Sequence, residues 1–283
     1  MFNRRSYLFV PASSGKMVEK AIRSEADSII IDLEDTVALT EKKRAREVIK
    51  SSVDNLEYNK QIFIRINSLN TSFWEEDVAC AIRIKADGIM LPKAECAQDI
   101  ERLCEKIQQG IESDTNSGVR IIPLIETAKG IQQAYEIASA SKYIDRLAFG
   151  SIDYSLDIDC QLSPEGLELL FARSQIVNAS RAAGIHSPID AVYPDLSNND
   201  GLIKEASFAR QLGFKGKLII HPKQIESVHK LFSPSEAEMN YCQEVVDKFE
   251  EAEKQGIASI RYKNKLIDYP VYLKAKQVLD KLG

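Results

Sequence analysis

The chain has 283 residues, 44% of them hydrophobic and 28% charged, with a formal net charge of −5. That balance suits a compact soluble unit with a sizeable core and excludes a disordered chain. Lysines and arginines are scattered among acids rather than gathered in a block, which excludes a nucleic-acid surface. The apolar run after Arg4 and Arg5 is too short for a signal segment or a membrane span, so no membrane association and a cytoplasmic location are expected.

Cys80, Cys96, Cys104, Cys160 and Cys242 are dispersed, odd in number and without a CxxC pair, which argues against a disulfide framework and a zinc site. His186, His221 and His229 form no pair at metal-ligand spacing, so transition-metal chemistry is not expected.

Short β-branched apolar runs recur at residues 7–11, 28–35, 61–67, 88–93, 120–127, 146–153, 187–193 and 217–222. Between them, segments such as 41–53, 97–112, 164–183 and 201–212 space their apolar residues at helical intervals. The runs are continuous rather than alternating, as strands buried on both faces are. Strand and helix alternating in this way predict a (β/α)8 TIM barrel over residues 1–232. Ser163 followed by Pro164 predicts an N-cap and first helical position. Residues 233–283 are surplus to a barrel and predict a C-terminal helical extension: a charged helix over 235–255, a linking segment, and a last helix from Val271. An extension of this kind commonly covers an active site or a partner subunit.

Active sites of such barrels lie at the C-terminal ends of the strands. Those ends are polar here: Glu34 and Asp35, Arg65 and Asn67, Lys93 and Glu95, Glu126 and Thr127, Asp153, Asp190 and His221. Charges converging on one mouth are costly to desolvate unless they pair with each other, a metal or a substrate. Many carboxylates with few His or Cys suit a hard cation with oxygen ligands, and magnesium takes only one or two protein carboxylates. Glu126 and Asp153, expected on adjacent strands, could be that pair; alternatively each caps the helix that follows it.

Arg65 offers a planar fork for a carboxylate, or a structural ion pair with Glu34 or Asp35, and the two roles are compatible. A Schiff-base role for Lys93 would need a lowered pKa, and nearby Glu95 would push the other way, so it reads as a substrate or surface lysine. PASSGKM fails as a phosphate loop because Val10 stands where the first Gly belongs and Met17 where Ser or Thr belongs. GFKGK, 213–217, reads as a helix exit more readily than as a phosphate site.

The motifs SYLFVPA, SIIIDLEDTV, FIRIN, MLPKAE, PLIETAKG, FGSIDYSLDI, GFKGKLIIHPKQ and LIDYP follow one another in this order over nearly the whole chain. Together they closely resemble the citrate lyase β subunit-like proteins of the HpcH/HpaI aldolase group, related to malyl-CoA and citramalyl-CoA lyases. The resemblance implies a magnesium-dependent carbon–carbon lyase that cleaves or forms a β-hydroxyacyl thioester, giving an oxo acid and an acetyl thioester. It implies Glu126 and Asp153 as metal ligands, Arg65 as the grip on the oxo-acid carboxylate, and Glu34 and Asp35 as its supporting acids. Asp268 of LIDYP resembles a lid acid that serves a neighbouring subunit in family trimers, so a homotrimer or hexamer is expected. Arg5, Lys16, His221 and Gln224 lie where relatives hold coenzyme A or its pantetheine arm. Ser13, Ser14 and Gly15 depart from the Arg or Asn often found in relatives after the first strand's proline, and Lys16 could compensate. The rivals are a subunit acting on an acyl-carrier thioester, a malyl-CoA-type thioesterase, a class II aldolase on free oxo acids, and a noncatalytic binding protein.

Overall fold

The computed structural model describes residues 4–54, 59–110 and 118–280. Two compact units divide the chain, one running from Arg4 to His229 and the other beginning at Lys230.

The first unit opens with β1 (Ser6–Pro11), α1 (Gly15–Ile22), β2 (Ser28–Asp32) and α2 (Lys42–Val53). It continues with β3 (Gln61–Arg65), α3 (Trp74–Arg83), β4 (Gly88–Leu91) and α4 (Ala97–Gly110). Then come β5 (Arg120–Ile125), α5 (Ala128–Gln132), α6 (Ala134–Ser139), β6 (Ala148–Phe149) and α7 (Ser151–Asp157). The unit's last elements are α8 (Leu170–Ala182), β7 (Ile189–Asp190), α9 (Asn199–Leu212), β8 (Gly216–Ile219) and α10 (Ile225–Phe232), which crosses into the second unit. The eight strands pair in parallel in sequence order, and β8 returns to β1, closing a barrel. This is the expected (β/α)8 fold.

Strand side chains alternate between faces, and every strand gives the barrel interior at least one residue: Tyr7, Ile30, Phe63, Met90, Ile122, Leu124, Ala148, Ile189 and Leu218. Alternate residues point outward against the helices, so both strand faces are dry. The interior face continues toward the C-terminal ends as Phe9, Asp32 and Arg65, so the polar mouth is the next layer above an apolar floor.

Two expectations are corrected. The run 146–153 is not one strand: β6 ends at Phe149 and Ser151 begins α7. The helix expected over 164–183 starts at Leu170, after a 3-10 turn at Leu167–Leu169. Ser163 instead closes a turn, its N–H and hydroxyl donating to Glu168 at 2.7 and 2.8 Å. Gly166, at φ +64°, occupies left-handed backbone that interrupts any helix continuing from Pro164.

The second unit holds α11 (Glu236–Glu253), the antiparallel pair β9 (Ile260–Tyr262) and β10 (Lys265–Ile267), and α12 (Tyr269–Leu279). Its core is its own: Cys242, Val245, Val246, Phe249, Ile267, Tyr272 and Ala275 pack together, with the Phe249 and Tyr272 rings stacked at 4.8 Å. Among the described residues no helix is long and apolar enough to cross a membrane.

Candidate active site

Asp32 and Arg65 are Cα partners in the β2–β3 register, so their side chains leave the sheet on one face, side by side. Asp32 is fully buried and takes the guanidinium in bidentate fashion, Nε to Oδ1 at 2.7 Å and Nη2 to Oδ2 at 2.6 Å. The third nitrogen, Nη1, lies 3.1 Å from Glu34 Oε2 and 3.2 Å from Asp35 Oδ2. Below, the guanidinium stands 4.9 Å from the Phe9 ring centre. Burial alone would lower the Arg65 pKa, but Asp32 and Glu34 hold it above its ordinary value, so the charge is permanent. Burial likewise opposes the charge on Asp32, and Arg65 outweighs it, keeping the carboxyl below the usual range. Asp32 was not among the residues singled out from sequence; it ends the apolar run SIIID, and its same-face alternation with Ile30 is the signal that finds it.

Glu126 follows β5 and is 2% exposed. Its Oε1 accepts the Lys93 backbone N–H at 2.9 Å. Burial, then the charges of Glu34 and Asp153, push its pKa up to about 8. Gly150, the residue between β6 and α7, permits this placement, because a Cβ there would stand 2.4 Å from Glu126 Oε2. Asp153 lies in the first turn of α7 rather than at a strand end, where the helix dipole favours an anion. The Lys93 ammonium lies 3.1 Å from Glu34 Oε1 and 3.4 Å from Asp153 Oδ1. Burial would lower the Lys93 pKa, yet Glu34 and Glu126 raise it above its ordinary value, opposite to what a Schiff-base lysine needs. Glu95 is not the cause; it pairs with Lys129.

Around this mouth Asp32, Glu34, Asp35, Glu126 and Asp153 outnumber Arg65 and Lys93. Glu34 Oε2 is buried and accepts no hydrogen bond, despite its ion pair with Arg65, and burial followed by Asp35 raises the Glu34 pKa. An excess of carboxylates, of which Asp32, Glu34 and Glu126 are buried, with an unsatisfied oxygen on Glu34, fits a small hard cation. Among the described residues no group of three or more metal-type side chains converges. Glu126 and Asp153 are two carboxylates, within the one or two that magnesium usually takes from a protein, leaving its remaining positions for water and substrate.

Other expected residues lie elsewhere or are occupied. Asp190 does not face the mouth: Ile189 points inward, so Asp190 points outward, fully buried between Arg173 at 2.8 Å and Lys217 at 2.7 Å, with Glu205 beside Lys217 at 2.7 Å. Lys217 of GFKGK is thus a structural cation, and Gly213 caps α9 as the helix-exit reading expects. Arg5 precedes β1, at the opposite end of the barrel, where Asp27 binds its guanidinium at 3.0 Å. Gln224 is buried, its Oε1 accepting the Ile220 N–H and its Nε2 donating to the Tyr193 carbonyl, both at 2.9 Å, so its amide is spent on the loop. His221 caps the 3-10 turn Pro222–Gln224 and is half-buried. Lys16 is exposed in the first turn of α1, after β1 and so on the mouth side. Asn67 donates to Asp77 at 2.6 Å and to the Leu33 carbonyl, which removes it from the open fork beside Arg65. In the second unit Asp268 caps α12, its Oδ1 accepting the Val271 N–H at 3.3 Å.

The family model described as HpcH/HpaI aldolase/citrate lyase matches residues 5–222, which include every one of these mouth residues. The chain belongs to the HpcH/HpaI aldolase/citrate lyase family. A second model, a carbon–carbon bond lyase of the TIM-barrel fold, matches residues 173–281. Citrate lyase subunit beta of Haemophilus influenzae is 38% identical over 98% of this chain and 96% of its own length. A (3S)-malyl-CoA thioesterase of Cereibacter sphaeroides is 33% identical over 98% and 94%. Among solved structures, the CitE protein of Mycobacterium tuberculosis in complex with magnesium, acetoacetate and coenzyme A is 28% identical, with a TM-score of 0.82 over 98% of this chain and 97% of that one. This member of the family is a carbon–carbon lyase.

Proposed function

We propose that the chain cleaves, or in reverse forms, a β-hydroxyacyl thioester of the malyl, citramalyl or citryl type, giving an oxo acid and an acetyl thioester, with magnesium as cofactor. The observation that carries this reading is Glu126: a carboxyl only 2% exposed, held by the Lys93 N–H at 2.9 Å and linked through Lys93 and Glu34 to the locked Arg65. Glu126 and Asp153 would hold the cation. Bound there, magnesium would supply Lewis acidity to the substrate's carboxylate and hydroxyl oxygens, lowering the hydroxyl pKa. The M. tuberculosis relative, with magnesium, acetoacetate and coenzyme A bound, supports that choice of cofactor and ligand class.

The chain's own groups do the rest. Arg65, immobilised by Asp32, Glu34 and Asp35, keeps its orientation without reorganising and presents its remaining N–H edge to the oxo-acid carboxylate. Cleavage passes the hydroxyl proton to water as its oxygen becomes the oxo acid's carbonyl. The electron pair of the broken carbon–carbon bond goes to the thioester carbon, which needs a proton; Asp268, in its protonated form, is the proposed donor. Lys16, exposed, and His221, half-buried, are the proposed contacts for the coenzyme A or acyl-carrier arm. A homotrimer or hexamer is proposed, Asp268 serving a neighbouring subunit, and light scattering of the purified chain tests it.

Incubating the protein with magnesium and a panel of malyl-, citramalyl- and citryl-thioesters tests the reaction. Free oxo acid is the expected product. The thioesterase relative favours a second reading, in which the hydroxy acid is released intact with the free thiol. Failure of the folded, magnesium-loaded protein to turn over any of them removes both.

A further inference from the structure

Lys93 follows β4 at φ +48°, a left-handed conformation costly for a residue with a Cβ. The conformation lets one residue act twice. Its N–H donates to Glu126 Oε1 at 2.9 Å, while its ammonium reaches back to Glu34 at 3.1 Å and Asp153 at 3.4 Å. One residue therefore ties together carboxylates from three separate segments that would otherwise repel. An ordinary surface lysine makes one loose pair; this side chain is 37% exposed yet contacts two acids and strains its backbone beside a third.

We propose that Lys93 is the resident counter-cation of the candidate magnesium centre: its ammonium holds Asp153 and Glu34 in the metal-free protein, and Asp153 exchanges it for the divalent ion. The inference rests on the reading of Glu126 and Asp153 as the magnesium pair. The arrangement keeps the acids gathered without metal, and it weakens metal affinity, because a positive charge a few ångströms away opposes a second cation. A purely structural lysine has the opposite signature. Its loss would let the carboxylates spread and would weaken binding.

Magnesium binding to the full chain is measured by titration calorimetry for the native protein, Lys93→Met and Lys93→Arg, with melting curves with and without magnesium. Lys93→Met is expected to bind magnesium about tenfold more tightly. It should also melt lower than the native protein without metal and gain more in Tm when magnesium is added. Lys93→Arg keeps the charge and should stay within about twofold of the native Kd. Equal or weaker binding by Lys93→Met overturns the proposal, as does tightening in Lys93→Arg about as large as the tenfold expected of Lys93→Met. If Lys93→Met does not fold, Lys93→Gln, which also removes the charge, is held to the same tenfold expectation. A native protein that takes up no magnesium would instead remove the parent reading.

Discussion

Asp32 Oδ1 and Oδ2 receive Nε and Nη2 of Arg65 at 2.7 and 2.6 Å across one parallel strand pair, and this contact orients the arginine that faces the acidic side of the mouth. Two adjacent strands fix the pair more tightly than loops could. Asp32→Asn removes the buried charge that grips Arg65 in bidentate fashion and leaves it Glu34 and Asp35, and breaking a buried pair costs about 3–5 kcal/mol. Urea unfolding should read that loss. Arg65→Lys retains charge but not the fork, and kcat/KM for thioester cleavage is expected to fall by about 100-fold. An Arg65→Lys enzyme with native kcat/KM would deny Arg65 its role at the substrate.

The Glu126 carboxyl gives the metal-free protein a defined pH dependence. Its ordinary value is 4.5 and its folded value about 8, so between these the folded state holds a proton that the unfolded state has lost. Stability from this group is present below about pH 4.5 and declines as pH rises toward 8. Glu126→Gln should abolish that decline, making the variant more stable than the native protein at pH 8 without metal. Calorimetric melts across the range check it, and a native-like pH slope in Glu126→Gln would contradict it. Magnesium binding at pH 7 should also release a proton, visible as a dependence of the binding enthalpy on buffer.

Asp268 can be separated into its two roles. Asparagine caps a helix about as well as aspartate, so Asp268→Asn should leave the melting temperature essentially unchanged. It cannot donate a carboxylic proton, so turnover should fall by about 100-fold or more. Retention of native turnover would reduce Asp268 to the cap of α12.

The buried cluster of Arg173, Asp190, Lys217 and Glu205 lies outside the strand ring and offers a control for the mouth. Asp190→Ala leaves the buried Arg173 and Lys217 sharing Glu205 and should cost about 3–5 kcal/mol of stability. Its magnesium affinity, measured on the folded fraction at low temperature, should match that of the native protein. A weakened affinity with the fold intact would tie this cluster to the site.

The barrel was legible because strands buried on both faces leave continuous runs such as SIIID and RIIPLI, and because the residues after those runs are polar. Face was harder to read than position. Asp190 and Asp32 both end a strand, yet Asp32 shares the inward parity of Ile30 whereas Asp190 is offset by one from inward Ile189. One residue of pleat separates a mouth acid from a structural one. Asp153 escaped correct placement because Gly150 ends β6 early, and the short α7 that follows carries the acid on a helix. Arg5 and Gln224 were singled out by motif position, which does not reveal that Asp27 and the backbone of the 220s loop already satisfy them.

The central claim is that Glu126 and Asp153 share one divalent ion. Manganese, as a paramagnetic stand-in for magnesium, can be titrated into the native chain, Glu126→Gln and Asp153→Asn while the free ion is followed by electron paramagnetic resonance. The account predicts one site per native chain, displaced by excess magnesium and lost or weakened by about tenfold or more in each variant. Either variant binding manganese with native stoichiometry and affinity would contradict it.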